Sequence, residues 1–294
     1  MAVAKAHPKL NFARLIRATK QRSTEVERAE TRKSAIRTRL RKSFKVANIV
    51  TIGSYSRGTA IANYSDVDLL ANLRRDEAKW GDNLVSSSRV LQRVRDDLND
   101  RFVSTDVRRD GQAAVVYFAR GKQKVDVVPG IFLRMHEKSP VFGIPDGSGG
   151  WLETSPRAHL VWLRRKQLRS RGKMNKVIQI LKYWKYCRGN TQALSSFYLE
   201  MWLANSGLCV GVRSYSEILL DAFYQLHRES LKRISDPVGV SGLISPARTR
   251  AHIDSIGTTI HSCLGHATAA IEAETRRDFQ EANRQWSIVF NGIF

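Results

Sequence analysis

Apolar residues along this chain change their spacing several times. From about residue 10 to residue 45 they are sparse, with Leu10, Phe12, Leu15 and Ile16 early and Val26, Ala29, Ile36 and Leu40 later. That spacing predicts one long or broken helix whose thin apolar stripe lies across a domain surface. Val46 to Ile52 is a short run rich in β-branched residues, which reads as a buried strand, and a second strand begins at Asp66. Helical spacing returns over residues 82–100 through Leu84, Val85, Val90, Leu91, Val94 and Leu98. Phe102 to Val107, Ala113 to Phe118 and Lys124 to Val128 then read as strands, with Asp110-Gly111 and Arg120-Gly121 as turns between them.

Pro140 to Pro156 is dense in Gly and Pro and reads as a loop crossing between lobes. Beyond it the pattern is almost wholly helical, at about 156–170, 174–188, 195–206, 215–232 and 248–283, with a break at Ser235-Asp236-Pro237-Val238-Gly239. The expected architecture is a bilobal α/β protein. A basic N-terminal helix (1–45) precedes a mixed sheet with flanking helices (46–155) and a helical lobe (156–294).

Composition narrows the setting. A chain of 294 residues with 42% hydrophobic content can bury a substantial core. No apolar run approaches the ~20 residues of a membrane span, and the first residues lack the apolar stretch of a secretory signal. Cys187, Cys209 and Cys263 are far apart and odd in number, which disfavours a disulfide framework and points to a reducing cytoplasm. The net charge of +22 is confined to two segments. Residues 1–45 hold 14 Lys/Arg against three acids, and residues 157–188 hold 11 Lys/Arg and no acid, a net of +11 each. Such segments suit polyanions, RNA or another for the first and phosphate groups for the second. The plainer alternative is a solvated helix face.

The chemistry concentrates in Gly53-Ser54-Tyr55-Ser56-Arg57-Gly58-Thr59 and Ser65-Asp66-Val67-Asp68. Asp66 and Asp68 are two apart on a strand, so both carboxylates leave the same face. Their repulsion is relieved by a divalent cation, and the Gly53-Ser54 turn offers N–H groups and a hydroxyl to a phosphate. Asp126 stands alone in the apolar strand Lys124-Val125-Asp126-Val127-Val128, a costly place without a partner. If that strand lies beside the first, three acids converge and can hold two Mg²⁺ ions, with Mn²⁺ as a substitute, for nucleotidyl transfer. Any one of these acids alone also fits a strand-end Asp paired with an Arg.

Gly53-Ser54, Gly58-Thr59, Asp66-Val67-Asp68 and Asp126 resemble the signature of the polymerase-β-like nucleotidyltransferases. Val125 to Pro129, Ile144-Pro145-Asp146 with Trp151 to Pro156, Leu181-Lys182-Tyr183-Trp184, Ser195 to Glu200, Asp236-Pro237 and Trp286 to Phe294 extend the likeness. They resemble the cGAS/DncV-like branch of nucleotidyltransferases, related to oligoadenylate synthetase, over residues 46–294. The resemblance implies an enzyme that joins NTPs into a cyclic di- or trinucleotide second messenger, releasing pyrophosphate, for anti-phage signalling through a downstream effector. It implies purine NTPs, with UTP as a further substrate. Asp66 and Asp68 would bind both metals, and Asp126 one of them.

On the helices, Lys182 can meet the β/γ-phosphates of a nucleotide over which the helical lobe closes, and Ser196 can add a hydroxyl and N–H. Phe197 or Tyr198 can stack on a base. The competing reading makes Ser195 or Ser196 an N-cap with Glu200 reaching back, and the aromatics core. Asn175, two turns before Lys182, can read a base edge or cap its helix. Arg57 is expected near the phosphates or in a lobe contact. His261, Cys263 and His266 read as ordinary helix residues rather than zinc ligands. No GxxxxGK[ST] or G-x-S-x-G motif occurs. Two rival readings are an RNA-activated or RNA-end linear polymerase, and a degenerate nucleic-acid-binding module.

Overall fold

The computed structural model describes residues 6–119, 121 and 123–294. The first five residues of the expected N-terminal helix, and Arg120 of the expected turn, lie outside the described residues. The helix expected over 10–45 is two helices, α1 (Pro8–Ala18) and α2 (Ser23–Ser43). Pro8 opens α1, where its missing N–H costs nothing, and His7 Nδ1 accepts from the Lys9 amide at 3.2 Å. Then come β1 (Val46–Ile52), the one-turn helix α3 (Gly53–Arg57) and β2 (Val67–Leu73). A small hairpin, β3 (Lys79–Trp80) and β4 (Asn83–Leu84), leads into α4 (Ser87–Arg101).

The next strands are β5 (Asp106–Asp110), β6 (Ala113–Phe118), β7 (Gln123–His136), β8 (Ser139–Pro145) and β9 (Trp151–Thr154). Helices α5 (Pro156–Arg169), α6 (Lys173–Cys187), α7 (Ser196–Ser206) and α8 (Tyr215–Arg228) follow. A hairpin of β10 (Ile234–Ser235) and β11 (Leu243–Ile244) precedes α9 (Arg250–Thr275) and α10 (Phe279–Val289).

The strands form a seven-stranded mixed sheet with order β1-β2-β7-β6-β5, extended by β8 on β7 and β9 on β8. Only β2 and β7 run parallel; the other pairs are antiparallel. Alternation along the strands sorts side chains onto two faces. Val67, Leu69, Ala71, Leu73, Val125 and Val127 point to one face, beneath Ala29, Ile36 and Leu40 of α2 and Val90, Leu91, Val94 and Leu98 of α4. The opposite face carries the smaller cluster of Leu70, Val115, Val128, Phe142 and Ile144, packed by Ile52 and Tyr117. Asp68 and Asp126 fall on this second face, because they alternate with the residues that bury the first.

The Gly/Pro-rich stretch at 140–156 is a correction to the sequence reading. It forms the antiparallel pair β8–β9, with Phe142 opposite Thr154 and Pro145 opposite Trp151. Only residues 146–150 turn, and the Asp146 carboxylate fixes them by accepting from the amides of Ser148, Gly149 and Gly150 at 2.7–3.0 Å. Gly143 sits within β8 because a Cβ there would press on Leu133 and Trp151 at 3.3 and 3.5 Å. The helix expected over 248–283 likewise breaks, at Arg277 (φ 60°), and Asp278 starts α10 by accepting from the Glu281 amide.

The chain divides into two compact units. The sheet unit comprises residues 21–162 and 238–241; the helical unit takes the segment ending at Lys20, then 163–237 and 242–294. In the helical unit Phe12 is fully buried among Trp286, Phe290 and Phe294, with ring centroids at 4.6–6.2 Å. Among the described residues no helix is long and apolar enough to cross a membrane.

Candidate active site

In the sheet unit the three acids are assembled by register. Asp66 immediately precedes β2, and Asp68 stands opposite Asp126 across the parallel β2–β7 pair. Neighbouring strands lie about 4.8 Å apart, so two carboxylates share one face at adjacent positions, with Asp66 one pleat away. Burial raises the Asp66 pKa, and the nearby Lys124 ammonium partly offsets it. Asp126 is pushed up to about 8, first by burial and then by the charges of Asp68 and Asp66. Its Oδ1 is buried and has no hydrogen-bond partner.

Gly53 shapes the other wall. Its φ of +66° favours glycine, and an added Cβ would sit 1.8 Å from Asp68 Oδ2. The backbone at the β1–α3 junction therefore touches the Asp68 carboxylate directly, an approach no larger residue permits. Beyond it Ser54 is nearly buried, and its carbonyl accepts from the amides of Gly58 (φ 70°) and Thr59, closing the single turn. Arg57 is half-buried at the end of that turn.

This donor set fits a hard divalent cation. It supplies only oxygen ligands, one of them orphaned and buried, and burial followed by the charges of Asp68 and Asp66 raises the Asp126 pKa further than Lys124 lowers it. Among the described residues no three His, Cys, Asp or Glu side chains close around a point as they stand. A cation would draw Asp66, Asp68 and Asp126 together.

The helical-unit residues form a different cluster. Lys182 of α6 is 2% exposed and its ammonium pairs with Glu200 of α7, itself fully buried, at 2.5 Å. One turn on, Lys185 donates to Ser196 Oγ at 3.1 Å, and its ammonium lies 4.6 Å from the Tyr186 ring centroid. Burial, and then the Lys182 charge, pull the Lys185 pKa down to about 8. The amine beside Ser196 is therefore Lys185, which the sequence reading passed over. The signal was present as Lys182-Tyr183-Trp184-Lys185, two lysines one helical turn apart.

The remaining candidates sort by burial. Ser195 is the N-cap of α7, accepting from the Tyr198 amide at 3.2 Å, and Glu200 holds Lys182 instead of reaching back. Tyr198 is fully buried and its hydroxyl donates to the Lys232 carbonyl, so it is core and not a base-stacking ring. Phe197 is half-buried. Asn175 lies inside the first turn of α6, which Gly172 caps, so the N-cap alternative for it fails. Its amide donates to Gln167 Oε1 at 2.9 Å. Cys263 accepts from Trp184 Nε1, His266 bonds Gln285, and His261 stacks at 4.8 Å on His227.

Comparison with known proteins gives the family and the fold. The model of the Second Messenger Oligonucleotide or Dinucleotide Synthetase domain (SMODS) matches residues 8–167. A Bacillus cereus (strain VD146) protein named "Probable cyclic nucleotide synthase" is 23% identical over 281 residues, covering 84% of this chain and 82% of its own. The cyclic AMP-AMP-AMP synthase of Escherichia coli (strain MS 115-1) is 23% identical over 287 residues, covering 85% and 84%. The solved structure of E. coli MS115-1 CdnC with ATP superposes with a TM-score of 0.76 at 20% identity, covering 99% of each chain.

Proposed function

The chain belongs to the Second Messenger Oligonucleotide or Dinucleotide Synthetase family of nucleotidyltransferases, and we propose from that premise that it joins NTPs into a cyclic di- or trinucleotide. The observation that carries the reading is the in-register pair Asp68–Asp126 with Asp66 beside it, a carboxylate cluster in which the Asp126 Oδ1 is buried without a hydrogen-bond partner and Lys124 offsets the charge only in part. Asp66, Asp68 and Asp126 would hold divalent ions, Mg²⁺ or Mn²⁺, and Asp126 would help a ribose hydroxyl give up its proton. When bound, such ions activate that hydroxyl and neutralise the leaving pyrophosphate.

Gly53 leaves room for the backbone to meet a phosphate, and Ser54 adds N–H and hydroxyl donors. Lys185 and Ser196 would supply an ammonium and a hydroxyl for the outer phosphates, while Lys182, paired with Glu200, would hold α6 against α7 beside them. Phe197 is the ring for base stacking, and Asn175 the amide for reading a base edge. The names of the relatives, a probable cyclic nucleotide synthase and a cyclic AMP-AMP-AMP synthase, support a product of the cyclic-nucleotide class, which would serve as a defence signal passed to a downstream effector.

A second reading is a linear or RNA-responsive polymerase, favoured by the exposed basic residues Arg22, Arg28, Arg41 and Lys42 on α2. One experiment separates the two: the purified chain with four NTPs and Mg²⁺, with and without RNA, and mass spectrometry of phosphatase-resistant products. Cyclic products without RNA support the first reading. Linear ladders, or products only with RNA, move the assignment to the second.

A further inference from the structure

The helical unit contains a cavity that the proposed reaction does not use. It lies between α5 and the end of α7, beside the loop of residues 207–213, and has a volume of about 160 Å³. Its floor is Met174, Leu203, Ala204 and Cys209, each no more than 3% exposed, and Lys166, Arg169 and Val210 stand at its rim. A cavity of about 150 Å³ with apolar walls takes up benzene. The space therefore suits one aromatic or branched aliphatic side chain.

The loop is built to present apolar groups. Leu208 and Cys209 turn inward and are buried, the Leu208 carbonyl accepts from Arg213, and the Lys173 ammonium donates to the Arg213 carbonyl. Gly207 (φ +74°) and Gly211 (φ +87°) make the bends. Held this way, Val210 is 54% and Val212 98% exposed, and Leu168 on α5 is 78% exposed. Exposed apolar groups beside an apolar cavity mark an interaction site rather than a solvated surface.

Charge selects the partner. Between Arg157 and Arg213 the sole acid is Glu200, which is buried against Lys182. Arg164, Arg165, Arg169 and Arg171 are exposed on or just beyond α5 and make no ion pair among the described residues. A second copy of this chain would bring the same basic rim and be repelled. A nucleic acid would satisfy the arginines but leave the valines and the cavity floor uncovered. We propose that this basic-rimmed cavity is a docking site for an acidic protein segment that inserts one apolar side chain between Arg169 and Val210.

Fluorescence anisotropy with the full chain tests this, using a labelled synthetic peptide that has one phenylalanine between runs of three glutamates. Replacing its phenylalanine by serine is expected to weaken binding about tenfold or more, the scale of burying one large apolar side chain. Val210→Asp should weaken it comparably. Arg169→Glu should weaken it several-fold and flatten its salt dependence. Neither substitution should alter cyclic product yield or Tm. Failure of the phenylalanine peptide to bind, equal binding of both peptides, or indifference to both substitutions overturns the proposal. So does binding of poly(U) or of phosphatidylglycerol vesicles that is lost in Val210→Asp while the peptide remains unbound. The peptide comparison needs no variant, so a misfolded protein cannot obscure the outcome.

Discussion

Two clusters of charge sit in this molecule, one fully buried in the helical unit and one half-buried in the sheet unit, and they are built on opposite principles. In the helical unit Lys182 and Glu200 face each other at 2.5 Å, and Lys185 is answered by Ser196. In the sheet unit Asp66, Asp68 and Asp126 are all of one sign, with Lys124 the nearest offset and one oxygen unanswered. The Lys182–Glu200 pair closes its charge within the fold. The sheet-unit cluster gathers like charges that Lys124 offsets only in part, the arrangement that the proposed divalent ions would complete. Besides that difference in burial, what separates them is that Lys182 meets an opposite charge while Asp126 meets two of its own sign.

The largest effect expected from breaking this contrast is at the open cluster. Asp68→Asn should reduce product formation by on the order of 10³-fold, since a metal-ligating acid stabilises charge that develops in the transition state. Mg²⁺ is expected to raise the Tm of the parent and not that of the variant, because a cation bound only by the folded state raises its stability. An unchanged rise in Tm would remove Asp68 from the metal site.

Next is Gly53→Ala, whose methyl meets the Asp68 carboxylate at 1.8 Å and whose φ is +66°. Activity should fall about 100-fold through misplacement of that carboxylate, with about 1–3 kcal/mol of stability lost to backbone strain and the clash. Urea denaturation beside product assays would measure both. The closed cluster should respond in stability instead. Glu200→Gln leaves the Lys182 ammonium buried without its charge partner and should cost about 3–5 kcal/mol, whereas Lys182→Met with Glu200→Leu should recover most of that loss. If single and double variants are equally unstable, the pair is not what ties α6 to α7.

The smallest effect is one of pH. The Lys185 pKa is lowered from 10.5 to about 8 in the folded chain. Between those values the unfolded state binds more protons, so this group makes stability rise as pH increases from 8 towards 10.5. The rise attributable to Lys185 is at most about 3 kcal/mol. Comparing urea midpoints of parent and Lys185→Met at pH 8 and pH 10 isolates it; equal pH dependence would place the amine in solvent.

Much of the open cluster is legible in the sequence, because a D-x-D step on a strand and an acid inside an apolar strand are local patterns. Their juxtaposition is not local, and only the parallel β2–β7 register puts Asp68 opposite Asp126. The β8–β9 pair is hidden for a related reason. Gly143, Pro140 and Pro145 look like turn chemistry, yet packing against Leu133 and Trp151 calls for a glycine in a strand. Which of two lysines one turn apart meets Ser196 depends on where Glu200 sits, and Tyr198 is core because its hydroxyl finds the Lys232 carbonyl. Such pairings arise from helix packing, which period and composition do not encode.

The routing of the chain has its own consequence. Phe12 belongs with the aromatic side chains of the last helix, while α2, five residues after α1, belongs to the sheet unit. Neither unit is one continuous stretch, so no single cut yields either intact. A single crossover with a related gene would therefore leave at least one unit assembled from two parents, and a crossover between α1 and α2 would set Phe12 of one parent against the aromatic residues of the other.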